Sequence, residues 1–202
     1  MSEYRLSAAL RGHEDDVSYC LIPLLFGLPV PLIRHVPSLT LQVRDVTFPE
    51  PTTILSALRD ATVRRWKLKS SPPPAYDDTI TSHGSAFVNA VAFAPPSPDF
   101  PDGLIISGGK DAIIEVRQPG RPPDSDAERL LLGHQGNVCA LDVIPDAKRP
   151  YVVSGSWDSS ARIWSVSEGK RTAELEGHEA SVWAVLAYDG ERVITGTINP
   201  WN

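Results

Sequence analysis

The sequence predicts an all-β fold built from repeated four-stranded units, the arrangement of a β-propeller. The first observation is the stretch 152–164, in which β-forming residues flank the turn-forming residues 155–160. The second is a Gly-His pair upstream, Gly133-His134, and another downstream, Gly177-His178. A Gly-His pair followed by two strands that end near Asp and Trp, repeated about every 40 residues, is typical of a propeller blade.

The same spacing recurs along the chain, which identifies it as a WD-repeat chain. Ser154 is followed by Asp158 four residues later and by Trp164 six residues after that. The same offsets recur at Ser56, Asp60 and Trp66 and at Ser107, Asp111 and Arg117, and a fourth repeat begins at Thr195 but breaks off. A Gly-His pair precedes three of the four repeats, and the second has His83-Gly84 in reversed order. We therefore predict a partial WD40 β-propeller of about three and a half four-stranded blades in an incomplete ring.

The repeats set the predicted domain boundaries. Blade 1 spans about residues 4–80 and is interrupted by an insertion at 18–43, blade 2 spans 83–132, blade 3 spans 133–176, and a partial blade 4 spans 177–202. A propeller hides its strand edges only when the ring is complete. We therefore expect this chain to be the N-terminal part of a larger propeller.

The insertion 18–43 interrupts the first strand of blade 1, and joining Val17 to Arg44 restores the repeat pattern. Its apolar part, 21–33, is shorter than the ~20 residues of a membrane span and contains three prolines. We interpret the insertion as a retained intron or a gene-model artefact. A functional binding insertion and a membrane hairpin are the alternatives.

The repeated polar residues predict a buried hydrogen-bonded tetrad in each blade. In a WD blade the His, the Ser or Thr, the Asp and the Trp bond in sequence, which spares each buried polar group a desolvation cost of about 1–3 kcal/mol. The predicted tetrad residues are His13, Ser56, Asp60, Trp66, Ser107, Asp111, His134, Ser154, Asp158, Trp164, His178 and Thr195.

A hydrolase triad of His134, Ser154 and Asp158 is the catalytic alternative, but the same trio recurs in blade 1, and a catalytic site is seldom built twice. Neither a second His nor a Cys lies at metal-ligand spacing, and Gly108-Gly109-Lys110 lacks the spacing of a phosphate-binding loop. We therefore predict no enzyme, no catalytic residue, no metal and no cofactor.

Composition limits the classes of partner. The 202 residues carry a net charge of −6 without a basic run, which argues against nucleic acid. The residues after Met1 do not form a secretory signal, and no membrane partner is predicted. Cys20 and Cys139 are interpreted as free thiols in a reducing compartment, with Cys139 in the core of blade 3.

Several stretches resemble the phospholipase A-2-activating protein family. They are 133–141, 154–164 and 177–185, together with the unusual blade 2, in which 87–91 is followed by 108–111 without a closing Trp. The resemblance implies a ubiquitin-binding adaptor of the AAA+ segregase, valosin-containing protein, located in the cytoplasm and nucleus. The partners implied are ubiquitin or ubiquitinated proteins. The segregase would be bound only through further domains that we expect this chain to lack.

Two alternatives to the adaptor remain. One is another kind of WD scaffold, such as a substrate receptor of a ubiquitin ligase. The other is a truncated gene-model product without independent function. Ubiquitin binding would separate the adaptor from both.

A partner would meet the rim that carries the Gly-His loops and the Asp turns. The rim residues predicted to be exposed are Asp16, Arg59, Lys110, Asn137, Trp157 and Ser181. Trp157 is the preferred anchor, because aromatic and Arg side chains dominate interface hot spots. The alternative is that Trp157 packs on a neighbouring blade. Trp183 is expected in the core.

Overall fold

The computed structural model describes residues 43–67, 76–81, 83–122, 125–144, 149–188, 190 and 192–198. The predicted tetrad residue His13, the rim residue Asp16, Cys20 and residues 18–42 of the insertion lie outside these ranges. The strands of the described residues are β1 (Val43–Glu50), β2 (Thr53–Leu58), β3 (Thr62–Lys67), β4 (Tyr76–Thr81), β5 (Val88–Ala94), β6 (Leu104–Gly109), β7 (Ile114–Arg117), β8 (Arg129–Leu131), β9 (Val138–Ile144), β10 (Tyr151–Ser156), β11 (Ala161–Ser165), β12 (Lys170–Leu175), β13 (Val182–Ala187) and β14 (Val193–Thr197).

The strands form antiparallel sheets in which each strand pairs with its neighbours in the sequence. Blade 1 is β1–β4, blade 2 is β5–β8, blade 3 is β9–β12, and blade 4 is the pair β13–β14. This arrangement confirms the predicted all-β fold of a partial WD propeller. Within the described ranges, no helix is long and apolar enough to cross a membrane.

Strand β1 begins one residue earlier than the sequence analysis placed it. Val43, which was assigned to the insertion, pairs with Leu58 in the same register position in which Val138 pairs with Ser156. Val43 therefore occupies the place in blade 1 that the sequence analysis gave to Val17.

Tight turns join the second and third strands of blades 1 to 3. In each turn the Asp side chain accepts a hydrogen bond from the backbone N–H two residues later. These bonds run from Thr62 to Asp60 at 3.1 Å, from Ile113 to Asp111 at 3.2 Å, and from Ser160 to Asp158 at 3.0 Å. The residues in between adopt positive φ: Ala61 at 67°, Ala112 at 64° and Ser159 at 63°. The Asp thus fixes the turn in which it lies.

The apolar core lies between the blades. One buried cluster joins Leu55 and Val63 of blade 1 to Val88 and Ile105 of blade 2. A second cluster joins blades 2 and 3, with members that include Leu104, Ile106, Ile114, Val138, Val152 and Trp164. Because these side chains face a neighbouring sheet, their burial stabilises the association of blades as well as the individual sheets.

Two aspartates also link the innermost strands of adjacent blades. Asp45 of β1 accepts a 2.9 Å hydrogen bond from the backbone N–H of Val91 in β5. Asp142 of β9 accepts a 2.8 Å bond from the backbone N–H of Ala187 in β13. Each bond connects a side chain to the backbone of the next blade.

A second type of link joins equivalent positions of these strands. Asn89 of β5 donates a 3.3 Å hydrogen bond to the carbonyl of Val138 in β9. The Cys139 thiol of β9 lies 3.0 Å from the carbonyl of Val182 in β13. In both cases the second residue of one inner strand reaches the first residue of the next inner strand.

Candidate functional site

The four predicted tetrad residues of blade 3 meet in one chain of hydrogen bonds. His134 lies in the loop before β9, with Nδ1 2.7 Å from Asp158 Oδ2 and Nε2 2.7 Å from Ser154 Oγ. The indole Nε1 of Trp164 donates a 2.8 Å bond to the same Ser154 hydroxyl. The Trp164 ring also meets the His134 ring edge-on, with centroids 5.8 Å apart.

The distances fit a neutral imidazole with its proton on Nδ1. Trp164 then donates to Ser154, Ser154 donates to His134 Nε2, and His134 donates to Asp158. In this order every acceptor position faces a donor. Burial lowers the pKa of His134 and outweighs the opposing hydrogen bond and charge of Asp158, which agrees with a neutral ring.

Asp158 keeps its negative charge in this network. Burial acts to raise its pKa, but hydrogen bonds from the Gln135 backbone N–H, from His134 and from Ser160 together outweigh burial and hold the pKa well below its usual range. The bond from Gln135 measures 3.0 Å and the bond from the Ser160 hydroxyl measures 2.7 Å. Asp158 therefore fastens the loop before β9 to the turn between β10 and β11.

In blade 2 the corresponding histidine is His83, which the sequence analysis left out of the tetrads. Its Nδ1 lies 2.9 Å from Asp111 and its Nε2 lies 3.0 Å from Ser107, and its side chain is fully buried. His83 was omitted because His83-Gly84 reverses the Gly-His order. The available signal was its position five residues before Val88, close to the four residues that separate His134 from Val138.

The fourth tetrad position of blade 2 uses a charged pair. Arg117, which replaces the expected Trp, bonds through Nε to Glu115 at 3.1 Å. Glu115 in turn accepts a 3.0 Å bond from the backbone N–H of His83. The salt bridge between Glu115 and Arg117 on β7 thus joins the backbone of His83 to the third strand of blade 2.

The predicted tetrad residues of blades 1 and 4 make some of the contacts that the tetrad of blade 3 makes. Trp66 donates a 2.9 Å bond from Nε1 to Ser56, as Trp164 does to Ser154. Asp60 pairs with Arg64 at 2.8 Å, and the predicted partner His13 lies outside the described residues. In blade 4, His178 Nε2 lies 2.8 Å from the Thr195 hydroxyl.

The geometry of blade 3 is unsuited to nucleophilic catalysis. Ser154 is completely buried, and its hydroxyl already meets His134 and Trp164. A substrate carbonyl would need to approach that oxygen closely. Among the described residues, no group of three or more His, Cys, Asp or Glu side chains could hold a metal ion.

The rim residues differ in exposure. Arg59 and Lys110 are exposed, whereas Asn137 and Ser181 are half-buried. Trp157 is 48% exposed. The backbone N–H groups of Lys110 and Trp157 make equivalent bonds, to Phe87 O at 2.9 Å and to Asn137 O at 3.0 Å, so the two residues occupy corresponding places in blades 2 and 3.

The expectation that Trp183 lies in the core is wrong. Trp183 is 39% exposed and lies at a register shift of β13 between Val182 and Ala184, where Val182 is buried and both Trp183 and Ala184 are exposed. Its ring lies 5.5 Å from that of Trp157, centroid to centroid, at an angle of 54°. Trp157 is therefore both exposed and packed against the neighbouring blade, and the two rings form an aromatic pair across the seam between blades 3 and 4.

Cys139, the other residue expected in the core, is half-buried. Burial raises the pKa of its thiol to about 11. The thiol is therefore protonated at neutral pH and weakly nucleophilic.

The fold and the repeated tetrads define a WD-repeat protein. In agreement, residues 127–165 match the family model described as WD domain, G-beta repeat. A solved structure, the WD40 β-propeller domain of Doa1, superimposes with a TM-score of 0.58 at 33% identity, and the match covers 72% of this chain and 44% of that chain.

The sequence comparisons lead to one group of relatives. Protein DOA1 of Saccharomyces cerevisiae is 32% identical over 89% of this chain, phospholipase A-2-activating protein of Xenopus laevis is 36% identical over 90%, and ubiquitin homeostasis protein lub1 of Schizosaccharomyces pombe is 31% identical over 84%. The chain spans 19% of the length of each. These similarities confirm the resemblance to the phospholipase A-2-activating protein family that the sequence indicates.

Proposed function

We propose that this chain is a non-catalytic interaction module that binds ubiquitin or ubiquitinated proteins, as an adaptor in ubiquitin-dependent protein degradation in the cytoplasm and nucleus. The name of the fission-yeast relative, ubiquitin homeostasis protein lub1, supports this proposal. The structural observation that carries it is the exposed pair of Trp157 and Trp183 at the seam between blades 3 and 4.

The backbone around Trp157 fixes this pair in place. The Trp157 N–H donates to Asn137 O at 3.0 Å, and the Trp157 carbonyl lies 3.5 Å from the Ser181 hydroxyl. Ser181 belongs to the loop that leads into β13, so both blades position the pair. An aromatic surface that is already ordered loses little conformational freedom on binding, which favours a role as an interface anchor.

The test is an NMR titration of isotope-labelled ubiquitin with this chain. We expect saturable shifts confined to one surface of ubiquitin. Trp157→Ala and Trp183→Ala should each weaken binding about tenfold or more, as expected for interface hot spots. Tyr188→Ala is the matched control, because Tyr188 is an exposed aromatic residue, at 62%, that follows β13.

Two outcomes would refute the assignment. If Tyr188→Ala weakens binding as much as Trp157→Ala, the indole pair is not the anchor. If the folded chain produces no ubiquitin shifts, the alternative of a WD scaffold or ubiquitin-ligase substrate receptor takes precedence, because an exposed aromatic pair could equally anchor a different protein.

A further inference from the structure

The outer strand of blade 2, β8, leaves an apolar sheet edge open. It pairs with β7 on one side, and no strand of the described residues pairs with its other side. Proteins commonly protect such an edge with charged side chains. The outer strand of blade 3 follows this rule, because its exposed residues include Lys170 and Arg171. In blade 2 the exposed residues include Leu130, at 48%, and Leu132 directly after the strand, at 63%.

The two leucines lie on the same face of this edge. Leu131 between them is 1% exposed and belongs to the apolar cluster that joins blades 2 and 3. Because successive side chains of a strand point to opposite faces, Leu130 and Leu132 point away from that cluster. The residue opposite Leu130 on β7 is Glu115, which forms a salt bridge with Arg117. The neighbouring strand therefore offers Leu130 a charged pair and no apolar partner.

Arg129 places a positive charge at one end of the same edge. Its guanidinium donates a 2.8 Å hydrogen bond to the carbonyl of Glu128, while the Glu128 carboxylate pairs with Arg121 at 2.6 Å. Within the ranges that the structure describes, no carboxylate forms an ion pair with Arg129. The Arg129 side chain is exposed. It is therefore available to a carboxylate of another molecule.

We propose that the open edge of blade 2, residues 129–132, binds an extended segment of a partner protein by strand addition. Backbone hydrogen bonds to a free edge supply part of the affinity in this binding mode, and the alternate side chains supply specificity. An added strand places apolar side chains opposite Leu130 and Leu132 and an acidic side chain opposite Arg129. In the antiparallel orientation, which all the described sheets use, the partner sequence is apolar–X–apolar–acidic.

The length of β8 explains why the side chains decide the partner. The strand has three residues, so it offers few backbone hydrogen bonds to an added strand. The leucine pair and the arginine must then distinguish one extended segment from another. This edge lies on the fourth strand of blade 2, whereas the proposed ubiquitin site lies at the seam between blades 3 and 4. Loss of one kind of binding should therefore leave the other intact.

The experiment is fluorescence anisotropy of a labelled peptide that contains Val-Thr-Val-Glu between Gly-Ser flanks, titrated with the full chain at low salt. We expect saturable binding. A peptide with Gln in place of Glu should bind about two to five times more weakly, because one exposed ion pair is lost. A peptide with Ser in place of both Val residues should bind about ten times more weakly, because the apolar contacts with the leucines are lost.

Two N-methylated peptides test whether the backbone takes part. In an antiparallel strand the N–H groups of alternate residues point to opposite edges. N-methyl groups on one alternating set therefore block the edge that faces β8, and N-methyl groups on the other set leave that edge free. We expect one of these peptides to lose binding and the other to keep it. Equal binding by both would overturn strand addition.

Substitutions in the chain locate the site. Leu130→Ser should weaken binding about tenfold, whereas Leu130→Val should retain it. Leu186→Ser is the matched control, because Leu186 is 49% exposed and lies in blade 4, and it should change affinity less than about twofold. Arg129→Gln should remove the preference for the Glu peptide over the Gln peptide. The ubiquitin shifts should persist in Leu130→Ser, and matching circular dichroism spectra would exclude a loss of fold.

The proposal is overturned if the Val-Thr-Val-Glu peptide does not bind. It is also overturned if Leu186→Ser weakens binding as much as Leu130→Ser, or if Arg129→Gln keeps the preference for Glu. Binding that survives Leu130→Ser would place the peptide on another edge, such as that of β14, which pairs only with β13 among the described strands.

Discussion

The indole of Trp164 donates a 2.8 Å hydrogen bond to the hydroxyl of Ser154, ten residues earlier and on the adjacent strand. Ser154 also lies 2.7 Å from His134 Nε2, and both Ser154 and Trp164 are almost completely buried. One hydroxyl therefore satisfies two polar groups that water cannot reach. The stability of blade 3 depends on this oxygen.

Ser154→Ala should lower the free energy of unfolding by about 2–4 kcal/mol, because it leaves the Trp164 N–H and His134 Nε2 buried without a partner. Urea denaturation monitored by circular dichroism would measure the change. Ser167→Ala is the control, because the buried Ser167 hydroxyl has no hydrogen-bond partner within the described residues. A loss as large for Ser167→Ala would show that the cost does not come from the tetrad.

The tetrad could be read from the sequence wherever its local spacing is regular. The four- and six-residue offsets fix how one β-hairpin folds, so Trp164 reaches Ser154 and Asp158 lies in the turn between their strands, as the sequence positions imply. The histidine belongs to a loop before the preceding strand, and a loop can reach the same point by different backbone paths. Gly133 takes a positive φ before His134, whereas in blade 2 the histidine itself does so, with φ 60° at His83.

Contacts between blades could not be predicted in the same way. The exposure of Trp183 depends on which sheet lies beside β13, and the hydrophobicity of a residue does not say which face of a strand it occupies. The convergence of Arg59 and Lys110 on Phe87 likewise depends on how blade 1 sits against blade 2. The repeat spacing therefore predicts how one blade folds, whereas the contacts between blades depend on side-chain packing that the spacing does not determine.

The pH dependence of stability should reveal the neutral state of His134. Its folded pKa lies below the unfolded value of about 6.5, so the unfolded chain binds the proton more readily. Its contribution to stability is therefore complete above that value and is lost as the pH falls from about 6.5 toward the folded pKa. NMR titration of the His134 ring gives the folded pKa directly, and a value above 6.5 would contradict the neutral network.

Asp158 should produce a second loss of stability at lower pH. Its folded pKa lies below the unfolded value of about 3.9, so its contribution is present above that pH and disappears as the pH falls through the folded value. We therefore expect Asp158→Asn to destabilise the chain at pH 7 and to reduce the steepness of acid unfolding. Equal acid unfolding curves for the two proteins would count against this role.

The turns between the second and third strands contain a correctable strain. Ala112 adopts a φ of 64°, which costs an L-residue about 1–2 kcal/mol, whereas glycine accepts it freely. Glycine also makes the unfolded chain more flexible, which offsets part of the gain. Ala112→Gly should therefore raise the free energy of unfolding by about 0.5 kcal/mol, measured by urea denaturation.

Ala173 provides the control for this turn. It is a half-buried alanine like Ala112, but it lies within strand β12. Ala173→Gly should lower stability by about 0.5–1 kcal/mol, because glycine weakens a strand. If the two substitutions change stability in the same direction, backbone strain does not explain the effect at Ala112.

Asp45 lies at the seam between blades 1 and 2, where its two carboxylate oxygens accept hydrogen bonds from the backbone N–H groups of Val91 at 2.9 Å and Val46 at 2.8 Å. Burial raises its pKa, although the N–H groups of Val91 and Val46 act to lower it. Because the folded pKa is raised, the folded state favours the protonated acid, and this contribution to stability is lost as the pH rises through the folded value. Asp45→Asn removes the charge but keeps only one of the two acceptor oxygens, so at pH 7 it should cost less stability than Asp45→Ala, which removes both.

The difference in stability between wild type and Asp45→Asn should shrink as the pH is lowered, because a protonated Asp45 offers one donor and one acceptor oxygen, as Asn does. Asp45→Ala, which removes the acceptors of both bonds, should cost about 1–2 kcal/mol. Urea denaturation at pH 7 and at pH 4 would measure both variants. If Asp45→Asn loses as much stability as Asp45→Ala at pH 7, the one acceptor oxygen that the amide keeps contributes nothing, and the hydrogen bond to the Val91 N–H does not by itself link the blades.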